Sequence, residues 1–195
     1  MKRYVFLFAV LALLCPQVVV GQLQTTITTP DGNTLWFRAT AEGAVVTHAI
    51  VSWPYYAAGQ RPCGAVTLPD SVAFGDRVLP VVEVGRNAFY NCDSLSSIAL
   101  GRHVKRIATQ AFNGCVALKN VSLPDSLHAI GEGAFAYCRS LSELNVPSTV
   151  DSVGMSAFSM CTGLRRVNLP TSGAAHIDGT AFHGCSVLER EDKEQ

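Results

Sequence analysis

From residue 87 onward, apolar positions recur in register along the chain. The phenylalanine of each Ala-Phe pair stands at Phe89, Phe112, Phe135, Phe158 and Phe182, at spacings of 23, 23, 23 and 24 residues. Cys92, Cys115, Cys138, Cys161 and Cys185 keep the same step, as do Leu95, Leu118, Leu141, Leu164 and Leu188. A unit this short cannot close a core of its own, so copies must stack and cover one another, which predicts a solenoid. Written from its leucine, one unit is LKNVSLPDSLHAIGEGAFAYCRS (118–140) and the next is LSELNVPSTVDSVGMSAFSMCTG (141–163). In L-x-x-V-x-L-P, Val121 and Leu123 alternate with polar neighbours, the period of a strand with one buried face, and the proline stops it. In I-G-x-x-A-F-x-x-C, Ile130, Ala134 and Cys138 stand four apart, which predicts a short helical turn facing inward. The expected fold is an α/β solenoid with a continuous parallel sheet on one side and short helical turns on the other.

These units resemble the BspA-type leucine-rich repeat family, whose repeats read LxxIxLPxSVxxIGxxAFxxCxx, and the resemblance covers residues 85–188. Gly101 replaces the proline of the first full unit, Ala108 and Asp178 replace the glycine after the isoleucine, and TSGAAHID carries one extra residue. The resemblance implies a right-handed superhelix. It also implies a surface or secreted factor of host-associated bacteria that binds extracellular matrix proteins or other cells.

Ahead of the array the pattern changes. Residues 65–94 read as a divergent first repeat: Val66, Leu68, Pro69 and Val72 hold the expected offsets, and a hairpin insert turns at Phe74-Gly75-Asp76-Arg77. Within residues 22–64, TLWFRAT and AVVTHAIVSW read as strands of a β-rich N-terminal cap, which a solenoid end needs to cover its edge and core. Residues 1–21 have a secretory signal layout, with Lys2 and Arg3 ahead of an apolar run from Val5 to Leu14, and cleavage is expected near Gly21. That run is too short for a membrane-spanning helix, and no later segment is apolar enough to be one. The repeats run through residues 95–188, and a charged tail occupies residues 189–195.

The chain has 195 residues, 48% of them hydrophobic and 15% charged, which excludes a disordered chain. Fifteen basic residues balance fifteen acidic ones, so no overall field recruits nucleic acid. The five in-step cysteines fall at one buried offset and read as stacked small hydrophobes, a poor approach for a disulfide. Their spacing lacks the close pairs of a zinc site, so neither metal nor cofactor is expected. The redox state of Cys63, in the cap, is left open. His183 lies two residues from Cys185 but at an outward offset, so no thiol–imidazole pair is expected. No zinc-protease, phosphate-loop or nucleophile-elbow motif occurs, and an enzyme is not expected.

Residues pointing outward from the sheet vary without cost to the core, and binding would be encoded there. Ser97, Asn120, Glu143 and Arg166 form one ladder, and Ala99, Ser122, Asn145 and Asn168 a second. Ser97, Asn120, Ser122, Glu143, Asn145, Arg166 and Asn168 are therefore the candidate protein-binding residues, against a merely solvated face as the plainer reading. Arg102, His103, Lys105 and Arg106, with Arg139, Arg165 and Arg166, suggest a modest basic patch. Two other functions stay open. One is end-to-end assembly into an envelope structure. The other is glycan stacking on Trp36, Trp53, Tyr55 and Tyr56, set against a packing role for those aromatics.

Overall fold

The computed structural model describes residues 24–48, 56, 61–169 and 175–188. The expected signal segment, the charged tail, Trp53 and Tyr55 lie outside the described residues. Three strands open the chain as an antiparallel meander: β1 (Gln24–Thr28), β2 (Thr34–Ala39) and β3 (Ala44–Thr47). Leu35 and Phe37 alternate inward on β2 and are buried. Then come β4 (Gly64–Thr67), β5 (Ser71–Phe74) and β6 (Arg77–Val84). The last two pair antiparallel around Gly75, whose φ of 60° suits the turn. The remaining strands are β7 (Leu95–Ala99), β8 (Arg106–Ile107), β9 (Asn120–Ser122), β10 (Ala129–Ile130), β11 (Glu143–Asn145), β12 (Ser152–Val153), β13 (Arg166–Asn168) and β14 (His176–Ile177).

Successive coils stack through two parallel ladders, where the sequence pattern predicts one. The L-x-x-V-x-L segments pair as β4-β7-β9 and again as β11-β13, with β9 and β11 packed side by side. Each strand of the second ladder ends at the isoleucine or valine that precedes Gly85, Ala108, Gly131, Gly154 or Asp178. This ladder runs β6-β8-β10-β12-β14 and continues without a break into the N-terminal meander through the parallel pair β3–β6. The meander and the coils thus share one sheet. Ser126 and Thr149, at one offset in successive units, tie coils together by donating to the Val104 and Leu127 carbonyls at 2.8 Å.

The Ala-Phe segments are turns, and the described residues contain no helix, which corrects the expected helical turns. Backbone hydrogen bonding gives the reason. The N–H groups of Ala88, Tyr90 and Cys92 bond three residues back, to Gly85, Asn87 and Phe89. The intervening N–H groups of Asn87, Phe89 and Asn91 reach the Thr109, Ala111 and Asn113 carbonyls of the next coil. Every second donor is therefore spent between coils, and an i→i−4 helix has none left to use. The first four of these coils accordingly make two successive turns with positive φ at the third position, the type II signature, and the last coil keeps only the second, at Gly184. Asn87 (57°) and Asn91 (54°) occupy these positions in one coil, Gly133 (57°) and Tyr137 (62°) in another. Two such turns also place side chains four apart on one side, so the inward stripe of Ile130, Ala134 and Cys138 survives without a helix.

At the centre, Phe89, Phe112, Phe135, Phe158 and Phe182 form one stack. Neighbouring ring centroids lie 5.0, 5.0, 5.3 and 5.2 Å apart, with planes within 8° of parallel. Leu95, Leu118, Leu141 and Leu164 close one side of the stack, and Ile107, Ile130 and Val153 the other.

Candidate protein-binding face

Pairing register brings the seven predicted residues together across four coils. Ser97 stands opposite Asn120 and Ala99 opposite Ser122, while Glu143 pairs with Arg166 and Asn145 with Asn168. Ser97 is half-buried and the other six are exposed. Side chains of adjacent coils also meet: Arg166 Nη2 donates to Glu143 Oε1, and Asn168 Nδ2 donates to Asn145 Oδ1. Opposite charges and amides at one offset thus bridge coils, as cross-strand pairs do in any sheet. The face that results is polar and nearly self-neutral.

The basic patch is dispersed in the same way. Arg102 is 3.1 Å from an Asp70 carboxylate oxygen, and Arg106 donates to Glu83 at 2.5 Å from Nη2 and 3.0 Å from Nε. That hydrogen bond and the Glu83 charge push the Arg106 guanidinium further above its usual range. His128 Nδ1 lies 3.1 Å from Asp151 on the neighbouring coil. Among the described residues, Arg139 and Arg165 make no ion pair.

Of the cap aromatics, Trp36 is half-buried on β2 between Thr26 and Thr47. Tyr56 is corrected as a glycan-stacking candidate. Its ring is buried, and its hydroxyl donates to the Ala88 carbonyl at the first Ala-Phe turn. Burial, and secondarily the neighbouring thiols of Cys92 and Cys115, hold its phenol well above the ordinary range. Tyr56 thus docks the N-terminal segment onto the coils.

The cysteines have a role that packing alone does not describe. Cys115, Cys138, Cys161 and Cys185 each donate from Sγ, at 3.1 to 3.3 Å, to the carbonyl of the phenylalanine one coil earlier. A small apolar side chain carrying one weak donor fits this site, where alanine would leave the bond unmade. All six described cysteines are free, and Cys63 alone is exposed. Burial pushes the Cys92 thiol up to about 12 and the half-covered Cys185 to about 11. Asn33 pins Cys63 through its backbone, accepting from Cys63 N at 2.7 Å and donating to Cys63 O at 2.9 Å.

On the other ladder a shallow groove of about 390 Å³ crosses coils, with Arg106, Ala129, Ser152 and His176 along it and Gly131 and Gly154 in its floor. A Cβ at either glycine would come within 2.8 Å of the preceding coil's backbone, so these positions set how closely coils approach. The recurring glycine after isoleucine was the available signal for this groove. Among the described residues, no group of three His, Cys, Asp or Glu side chains is placed to hold a metal. No helix of the described residues is long and apolar enough to cross a membrane.

Recurrent leucines, parallel ladders and a 23-residue step together define a leucine-rich repeat protein. The model of the BspA-type leucine-rich repeat region matches in six copies over residues 82–191, more than half of the sequence, and the chain belongs to that family. The fold is similar to a leucine-rich repeat protein of T. pallidum, with 34% identity and a TM-score of 0.64 over 85% of this chain and 66% of that one. It is also similar to a Bacteroides ovatus leucine-rich repeat protein, with 24% identity and a TM-score of 0.60 over 79% of this chain and 44% of the other. The chain thus spans less than two-thirds of either. A leucine-rich cell-surface protein of Faecalibacterium prausnitzii matches over 85% of this chain and 53% of its own, with 24% identity and a TM-score of 0.55. No curated protein matches the sequence.

Proposed function

We propose that this is a secreted or surface-held, non-catalytic recognition protein, released from a signal segment at residues 1–21, that binds host extracellular matrix proteins or other cells through its polar sheet face. The supporting observation is the run of exposed side chains along β9, β11 and β13, continued by the half-buried Ser97 of β7, which extends across four coils with no covering element among the described residues. On such a face, affinity comes from many weak polar contacts spread over a rigid, repeated surface. The similarity to a bacterial cell-surface protein supports the location.

The test compares the mature protein with a variant in which Asn120, Glu143, Asn145, Arg166 and Asn168 are all alanine. Both are passed over immobilised fibronectin, fibrinogen, collagen and whole bacterial cells. Loss of binding in a variant that melts normally is the expected result; equal binding removes the sheet face from the function.

A further inference from the structure

A different surface carries an inference of its own. The offset before each repeat cysteine is held by Asn91, Gly114, Tyr137, Met160 and Gly184, all with φ between 54° and 77°. A Cβ on Gly114 would lie 2.0 Å from Asn91 Oδ1, and one on Gly184 would lie 2.5 Å from Met160 Sδ. Each long side chain at this offset therefore lies down across the glycine of the following coil. Tyr137 is the exception, because the next coil offers Met160 where it would need a glycine. Its N–H is fixed to the Ser159 carbonyl at 2.8 Å, and the residue stays 43% exposed in a backbone region that tyrosine rarely adopts. The turn imposes this φ on every residue at the offset, so what sets Tyr137 apart is an exposed ring kept where glycine would carry no backbone cost.

From residue 111 onward the surroundings have one charge sign. Residues 111–119, 134–142, 157–165 and 181–188 contain no Asp or Glu, while Lys119, Arg139 and Arg165 are exposed there. Asp93, at the Arg139 offset two coils earlier, lies 3.9 Å from Arg61. Arg139 follows Tyr137 closely, its N–H bonded to the Tyr137 carbonyl at 2.9 Å, and Val116 stands 38% exposed on the preceding coil. Asp125 and Glu132, the carboxylates of this coil, both precede the phenylalanine in sequence. Tyrosine, methionine and arginine are the residue types that anchor protein interfaces, and the sheet-face ladders hold no aromatic residue among them.

We propose that this turn face is a second interaction surface, with Tyr137 as its anchor and Arg139 beside it, and that its partner is an acidic protein segment carrying an apolar or aromatic side chain. The occupant follows from charge complementarity with the part of this strip from residue 111 onward, which has cations and no carboxylates. The surface is independent of the sheet face, so either can fail alone.

The experiment measures binding of the protein to a random glutamate–tyrosine copolymer by fluorescence anisotropy, with heparin as a non-protein polyanion and sedimentation as a check on self-association. Tyr137→Gly removes the ring at a φ that glycine prefers, so folding is retained, and thermal melting verifies it. Arg139→Gln is a second variant with no backbone consequence. The expected result is copolymer binding that falls about tenfold in Tyr137→Gly and a few-fold in Arg139→Gln. It should also weaken as salt is raised to about 0.5 M, and be unchanged in the five-residue sheet-face variant. Any of four outcomes overturns the proposal: no copolymer binding, equal binding by both variants, heparin binding alone with the same sensitivities, or a Tyr137-dependent dimer in place of copolymer binding.

Discussion

At the scale of single residues, the repeat cysteine shows how one side chain serves two purposes. Phe89 O accepts the N–H of Cys92 in its own coil and the S–H of Cys115 in the next, so the thiol closes a bond between coils inside the core. Cys138→Ala keeps the backbone but loses this bond and opens a small void, and is expected to cost about 1–2 kcal/mol by urea denaturation. The raised thiols also set a pH dependence. A group whose pKa is higher folded than unfolded stabilises the fold below its unfolded value and loses that stabilisation as pH climbs toward the folded value. For Cys92, moved from 9.0 to about 12, and Cys185, moved to about 11, melting temperature should hold to about pH 8 and decline above pH 9. A thiol-specific reagent at pH 8 should modify Cys63 at once, Cys185 slowly, and Cys92, Cys115, Cys138 and Cys161 only on unfolding.

Among elements, the two turns of each coil are the least obvious in sequence, and positive φ makes them testable. Gly133 holds φ 57° with only ordinary contacts for an added Cβ, so Gly133→Ala should cost about 1 kcal/mol through backbone conformation alone. Ser156 occupies the same offset one coil on, at φ 54°, and Ser156→Gly should be neutral or gain up to about 1 kcal/mol. A lowered urea midpoint for Gly133→Ala with an unchanged or raised one for Ser156→Gly supports the double turn, whereas a helix would reverse both signs. Here the inward stripe was legible and the element was not. A four-residue spacing of Ile130, Ala134 and Cys138 fits a helical turn and two successive β-turns equally. The choice is made by hydrogen bonds from Gly133, Phe135 and Tyr137 to the Met155, Ala157 and Ser159 carbonyls, which exist only once coils are stacked. The L-x-x-V-x-L strands, by contrast, announce themselves by local alternation and a terminating proline.

For the whole molecule, stability should follow nearest-neighbour contacts along the stack. Phe135, closed on both sides by rings at 5.0 and 5.3 Å, should cost about 3–5 kcal/mol when changed to alanine, and the partly covered Phe182 distinctly less. Amide hydrogen exchange should accordingly be faster over residues 175–188 than between Phe112 and Phe158. By itself the sequence determined the coil, its length and its family, because a strict 23-residue period leaves few ways to bury the same leucine, phenylalanine and cysteine in every copy. It also placed Glu143 beside Arg166 and Asn145 beside Asn168, since residues one period apart must be neighbours. Only the tertiary structure decided that there are two ladders rather than one, that the N-terminal meander shares a sheet with the coils, and that Tyr56 is packing rather than a ligand face. It likewise left Tyr137 standing, because a side chain's exposure here depends on whether the next coil supplies a glycine. Period fixes what is adjacent; which hydrogen bonds and side chains fill that adjacency depends on partners 22 or more residues away, beyond the reach of any local pattern.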